Sequence, residues 1–269
     1  MRKQTIVAFT IAMTLAAAAP ARAEGPRQLP PQLLGVGIVQ KLNAQVPLDL
    51  PFVDEDGRTV KLGDYFGKKP VVLSLIYYAC PMLCTTSENG LLDAVKQLKF
   101  DVGKEFEILT VSFDPNDKPM NATSKKSVYV GLYGRPGAEK AWHFLTGSQE
   151  SISRLTDAVG FHYNYDETTE QFAHAAGIMV ITPEGRVSHY FYGIHYPAGD
   201  LRLALVESSN NKIGNPVDAV LLYCSQYNPA VGKYGLVISR VLQLAGLVTI
   251  LSIGTLVFVL VRAERRVHT

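Results

Sequence analysis

The chain has 269 residues, 47% of them hydrophobic, with 26 basic against 24 acidic side chains and a formal net charge of +2. A balance this close to neutral, with no basic cluster outside the ends, excludes nucleic acid as a partner recognised by charge. Three cysteines are an odd count, so one thiol must stay free, pair between molecules or bind metal.

In chain order, Arg2 and Lys3, the apolar run 5–19 and Ala21-Arg22-Ala23 form the basic, hydrophobic and A-x-A parts of an export signal, expected at residues 1–23. Cleavage after Ala23 is favoured over an uncleaved anchor because small residues crowd the end of the stretch. A lead-in at 24–47 precedes a folded domain at 48–209. Within it, residues 52–54 and 59–62 flank Glu55-Asp56-Gly57-Arg58, whose Asp-Gly pair suits a tight hairpin turn. Val71-Val72-Leu73-Ser74-Leu75-Ile76 has the length and β-branched content of a buried strand.

Tyr77-Tyr78-Ala79-Cys80-Pro81-Met82-Leu83-Cys84-Thr85 follows, and then residues 88–100, where Leu91, Leu92, Val95 and Leu98 recur at helical spacing. Two cysteines therefore sit where a core strand turns into a helix. With Pro81 in the first helical position, Cys80 is the cap and Cys84 faces the same way one turn on. The positive end of the helix then favours thiolate over thiol.

Residues 106–113 read as a second core strand, ending in the turn-rich loop Asp114-Pro115-Asn116-Asp117-Lys118-Pro119. A helix is expected at 121–132, capped by Asn121 and ended by Gly134. A short strand at 142–145, an amphipathic helix at 148–159 with Ile152, Leu155 and Val159 on one face, and a polar, aromatic loop at 161–171 come next. Strands at 177–182 and 187–192 flank the turn Pro183-Glu184-Gly185-Arg186, and a last helix covers 198–207. This alternation predicts an α/β domain, and the late hairpin makes its central sheet mixed rather than fully parallel. A thiol pair at the C-terminal end of the first core strand, opening a helix, is how a thioredoxin-like domain places its cysteines.

Beyond a linker at 210–238, residues 241–261 carry no charge, and about 20 such residues cross a hydrocarbon core of roughly 30 Å. One transmembrane helix is expected at 239–262. Arg262, Arg265 and Arg266 follow, so the basic tail 263–269 is cytoplasmic by the positive-inside rule. The protein is thus expected to cross the inner membrane once, with its main domain on the periplasmic or extracytoplasmic side.

Three residues, not the two of the usual redox motif, separate the thiols. Cα atoms one helical turn apart, about 6 Å, lie in the upper part of the disulfide range, so a redox-active disulfide between Cys80 and Cys84 needs local adjustment. The same gap suits two thiolates on one soft cation, with a metal about 2.3 Å from each sulfur. Of the six histidines, His174, at the end of a loop able to fold over the cysteine turn, is the candidate third donor. His143 reads as packed or hydrogen-bonded, His162 as solvent-facing, His189 and His195 as ordinary strand and loop residues, and His268 lies in the tail. Met82 is a weak thioether candidate.

The strand, the Cys80-Pro81-Met82-Leu83-Cys84 turn, the Asp114–Pro119 loop and the later His174 resemble the Sco/SenC family of copper chaperones over about residues 48–207. The resemblance implies a thioredoxin-like fold and one copper ion, Cu(I) or Cu(II), held by Cys80, Cys84 and His174. It further implies a role in assembling the binuclear copper site of cytochrome c oxidase, with the oxidase's copper-bearing subunit or its assembly factors as partners. The residue before the histidine, often Asp in the family, is Ala173 here, and the Asp114–Pro119 loop is one residue shorter than the usual form. Residues 221–235 resemble the link to the span in a bacterial subgroup anchored at the C-terminus. Two thiolates with one imidazole suit copper on chemical grounds as well, whereas zinc usually seeks four ligands.

The main rival reading is a membrane-anchored thiol-disulfide reductase that keeps a partner's cysteines reduced, with Cys80 or Cys84 as nucleophile. A peroxidase is weaker, since no threonine or arginine set stands out around Cys80. Cys224, in an aromatic setting ahead of the span, reads first as an inert, partly buried thiol and second as a third sulfur for copper or an intermolecular disulfide.

Overall fold

The computed structural model describes residues 31–80, 83–214, 246–255 and 257. The chain divides into two units, one of residues 30–225 and one of residues 1–29 with 226–269.

The first unit is built on the apolar run foreseen in the sequence. Strand β4 (Val71–Ile76) is buried at every position, which its β-branched and aliphatic residues suit. Ahead of it lie β1 (Gly37–Ile38) and the hairpin of β2 (Pro51–Val53) with β3 (Thr59–Lys61). Asp54 ties that hairpin's turn, its Oδ1 accepting from the amides of Asp56 and Arg58 at 3.0 and 2.8 Å. After β4 come α1 (Leu83–Gln97), β5 (Glu107–Ser112), α2 (Pro119–Tyr133), β6 (Trp142–Leu145) and α3 (Gln149–Ala158). The chain continues through β7 (Phe161–Asp166), β8 (Gln171–His174), β9 (Gly177–Ile181), β10 (Val187–Tyr192) and α4 (Ala198–Ser209).

The central sheet has the order β10-β9-β4-β5-β6. β4, β5 and β6 run parallel, while β9 runs antiparallel to both β4 and β10. The expected mixed α/β sheet is therefore present. Leu91, Leu92, Val95 and Leu98 are buried, as the helical spacing requires. Ser148 caps α3 by accepting from the Ser151 amide, and Gly134 ends α2 at φ 72°, a conformation that glycine adopts without strain.

Two expectations need correction. Asn121 is not the cap of α2: Pro119 takes an early helical position, for which its fixed φ suits it. Asn121 instead reaches back, its Oδ1 accepting from the Lys118 amide at 2.9 Å. Residues 161–171 are not a loop but β7 and the start of β8. Phe161, Tyr163 and Tyr165 alternate with His162, Asn164 and Asp166, a period-two pattern hidden by the polarity of its second set. β7 pairs with β1 on one side and β8 on the other, making a separate three-stranded antiparallel sheet. His162, in that sheet, is half-buried rather than solvent-facing.

His143 and His189 are tied into the fold by hydrogen bonds. His143 Nδ1 lies 3.2 Å from Glu55 Oε1, and its Nε2 lies 3.0 Å from the Lys140 carbonyl. Glu55 is buried and also takes Lys126 and, at 3.0 Å, the Phe144 amide. Burial opposes its ionisation, but the hydrogen bonds from His143, Lys126 and Phe144 outweigh it and hold the carboxyl down at about 2. His189 meets Glu207 at 3.0 Å and Ser188 Oγ at 2.8 Å, and His195 is exposed.

Gly90, in α1, fixes how closely residues 193–197 approach the helix. A Cβ there would stand 1.9 Å from the Ile194 carbonyl oxygen. Gly90→Ala is therefore expected to lower stability by ~1–3 kcal/mol despite alanine's better helix propensity, read as the shift in a urea unfolding midpoint. An unchanged midpoint would mean that the 193–197 backbone moves without cost.

In the second unit, residues 246–255 are helical and exposed, and Ser252 and Thr255 donate back to the carbonyls of Val248 and Leu251. Among the described residues no helix is long and apolar enough to cross a membrane. The signal segment 1–23, Pro81, Met82, Cys224, the tail with His268, and most of the linker and of the span expected at 239–262 lie outside the described residues.

Candidate metal centre

The centre is assembled from two places far apart in sequence. Where β4 ends, the Cys80 amide bonds the Tyr77 carbonyl at 3.3 Å, turning the chain toward α1. Cys84, in the first described turn of α1, points its side chain back under that turn. Its Sγ accepts from the Tyr77 amide at 3.4 Å, and its own amide donates to Cys80 Sγ at 3.3 Å. Cys84 is fully buried and Cys80 is 9% exposed. Both are thiols in this structure.

The third group arrives on the β7–β8 hairpin. His174 ends β8, opposite Tyr163 on β7, and its Nε2 stands 3.3 Å from Cys84 Sγ. One donor atom each from Cys80, Cys84 and His174 lie within 4.8 Å of one another, and among the described residues this is the group of its kind able to hold a metal ion. His174 Nδ1 lies 2.9 Å from the Ala175 carbonyl. A carbonyl only accepts, so Nδ1 carries the proton and Nε2 keeps its lone pair toward the sulfurs. Ala175 thus supplies the orienting contact that a carboxylate at position 173 would otherwise offer.

An aromatic wall surrounds the imidazole: Phe113 at 5.1 Å between ring centroids, Tyr77 at 5.9 Å and Phe161 at 6.3 Å. Burial there pushes the His174 imidazole down, favouring the neutral form that binds metals. The helix terminus was expected to favour a thiolate at both cysteines. For Cys84 the opposite holds: burial pushes its thiol up and outweighs the hydrogen bond from the Tyr77 amide, with Cys80 adding to the rise.

Two acidic residues beneath the turn complete the surroundings. Asp117, from the shortened loop, still reaches it: Oδ2 accepts from the Tyr78 amide at 2.7 Å and from Ser112 Oγ at 2.6 Å. Glu88, one helical turn beyond Cys84, is fully buried between β4 and β5. It takes Ser74 Oγ and, at 3.2 Å, Thr110 Oγ1. Burial raises its carboxyl to about 7, against those two hydrogen bonds. Glu88 escaped the sequence reading, although a stripe through Cys84, Leu91, Leu92 and Val95 passes through it.

The sequence model of the family described as SCO1/SenC matches residues 40–201. The chain belongs to the SCO1/SenC family. Among solved structures, a candidate electron transfer protein from Aquifex aeolicus VF5 is 28% identical, with a TM-score of 0.56 over 63% of this chain and 95% of its own. A SCO1/SenC family lipoprotein from Bacillus anthracis is 20% identical, with a TM-score of 0.51 over 64% of this chain and 99% of its own. BsSco, described as a member of the Sco family of cytochrome c oxidase assembly proteins with a disulfide switch, is 22% identical, with a TM-score of 0.50 over 65% of this chain and 99% of its own. A comparison with curated proteins finds no match. The SCO1/SenC domain here has the thioredoxin-like mixed sheet expected from the sequence, with Cys80 in the turn after β4 and Cys84 in the first turn of α1.

Proposed function

We propose that this SCO1/SenC protein binds one copper ion through Cys80, Cys84 and His174 and delivers it to, or helps assemble, the binuclear copper site of cytochrome c oxidase. The observation that carries the reading is the convergence of two sulfurs and one lone-pair nitrogen within 4.8 Å. That donor set is soft enough for Cu(I) and contains the imidazole that Cu(II) accepts, and it falls one ligand short of a closed zinc site. A partner's thiolate or imidazole can approach a three-coordinate ion and take it over. The uncharged stretch 241–261 followed by three arginines supports anchoring by one C-terminal span, with the copper domain on the extracytoplasmic face.

Metal analysis of the full chain tests the reading. One copper per chain is expected, lost in Cys80→Ser and Cys84→Ser. Because burial holds Cys84 as a thiol, copper uptake must displace its proton. Apparent affinity is therefore expected to rise about tenfold per pH unit for each proton released. A chain that remains metal-free with copper in excess would sink the proposal.

The reductase reading shares the thiols, and one contact favours it: the Cys84 amide on Cys80 Sγ stabilises a thiolate at the more exposed sulfur. It does not need His174, and that residue separates the two.

A further inference from the structure

Residues 212–214, the last described in the first unit, close against β10 as a short strap. The Gly214 amide donates to the Ser188 carbonyl at 3.1 Å, and the Lys212 amide donates to the Glu207 carbonyl at 3.1 Å. The Lys212 carbonyl accepts from Ser188 Oγ at 2.7 Å. The approach is tight. A Cβ on the buried Gly214 would stand 2.9 Å from the His189 ring and 2.9 Å from the Ser188 carbonyl oxygen.

The hydrogen-bond directions around His189 assign a proton to each ring nitrogen. A carbonyl only accepts, so the single Ser188 hydroxyl proton points at Lys212. Ser188 Oγ, 2.8 Å from His189 Nδ1, then has only a lone pair to offer, and Nδ1 donates. Nε2 lies 3.0 Å from Glu207 Oε2, a carboxylate oxygen that also only accepts. The ring therefore fits this site as the imidazolium. Ser188, fully buried between ring and strap, relays the ring's charge state to the chain at Lys212.

We propose that His189 is a proton-operated latch on residues 212–214, acting through Ser188. Loss of the Nδ1 proton to water leaves a lone pair there, while Nε2 keeps its proton on Glu207. The Ser188 hydroxyl then turns to donate to Nδ1, and the Lys212 carbonyl loses its partner. The closed fold holds the extra proton, so the latch is shut at low pH and opens as the pH rises through the histidine range. Glu207, from α4, is the charged group that meets the ring. Lys212 is exposed; in the turn ahead of β10, Glu184 takes Asn211 Nδ2 at 3.0 Å and Arg186 donates to the Asn43 carbonyl at 3.2 Å. On β9 the register partner is Val180, which carries no charge. The strap begins the stretch read as a linker, so opening frees the first linker residues from the domain. The inference is independent of the copper reading.

Lys212–Ile213 is the one Lys–Ile pair in the sequence. A full chain labelled at the lysine carbonyl carbon and the isoleucine amide nitrogen therefore reports the Lys212 carbonyl by itself in an NMR spectrum. Between about pH 5 and 8 that signal is expected to follow one titration. Over the same range the exchange protection of the Gly214 amide is expected to fall about fivefold, the worth of one lost hydrogen bond. His189→Gln and Ser188→Ala are expected to flatten the carbonyl titration. Glu207→Gln is expected to move its midpoint to lower pH, since a neutral amide no longer favours the imidazolium. A wild-type carbonyl signal that stays flat overturns the inference, whether or not any variant folds. A titration that survives in His189→Gln overturns it too, and so does one that survives in Ser188→Ala, which marks a charge felt without the relay.

Discussion

His174→Ala is expected to lower the full chain's affinity for copper by at least ~100-fold, while the two thiols go on exchanging with disulfides. Loss of an outer partner of a metal ligand already costs about 10–100-fold, and in the proposed copper site His174 is the third donor itself. Its Nε2 stands 3.3 Å from Cys84 Sγ with the tautomer fixed by Ala175. The imidazole also fills the space between Phe113, Tyr77 and Phe161, so an alanine leaves a void. His174→Phe separates the two effects, because it keeps an aromatic ring in that wall and removes the nitrogen. Both variants should lose copper in competition with a Cu(I) chelator, and both should react with an aromatic disulfide at close to the wild-type rate. Copper affinity retained in both would remove His174 from the ligand set. Thiol exchange lost together with copper would tie the histidine to redox chemistry instead.

The second large effect lies in Glu88. Its carboxyl titrates in the fold at about 7, against an ordinary value of 4.5. The raised value means that the folded state holds the proton more tightly than the unfolded chain does. Stability is then full below about pH 4.5, falls as the pH rises toward 7, and stays low above it. The interval corresponds to about 3 kcal/mol. Glu88→Gln removes the charge and keeps the shape. Ser74 and Thr110 remain as hydroxyl partners, although one hydrogen bond must be rearranged at a cost of roughly 1 kcal/mol. The variant is therefore expected to be more stable than the wild type by about 2 kcal/mol at pH 8, with the gain lost as the pH falls toward 4.5 and reversed below it to a deficit of about 1 kcal/mol. Urea unfolding across that range measures it. A variant less stable at pH 8 would show that the ionised carboxyl is fully satisfied by its two hydroxyl partners.

The parts of this protein legible in the sequence are those where side-chain type and period agree. β4 is apolar at nearly every position, α1 repeats its leucines at helical spacing, and the cysteines fall where one passes into the other. Family membership and the likeness to solved structures support the thioredoxin-like fold built on those elements. The β7–β8 hairpin escaped because its polar residues make the aromatic alternation look like loop composition. Its partners, β1 and the aromatic ring of Phe113, are also distant in sequence. Glu88 escaped for a related reason: a charged residue on a helix reads as exposed until the strands covering it are known. The Tyr77 contacts depend on three segments meeting, which no local pattern expresses. Asn121 shows the limit of reading caps by residue type, since Pro119 competes for the same helix start.

The three candidate donors come from parts of the domain that belong to different sheets or their flanking turns. Cys80 lies in the turn that follows the buried central strand and Cys84 in the first turn of α1, whereas His174 ends β8, whose sheet partner is β7 alone. An ion held by all three would cross-link the strand-to-helix turn of the central sheet to the β7–β8 hairpin of the other sheet. Loading such an ion is then expected to stabilise the folded chain by mass action, since only the folded state brings the three donors together.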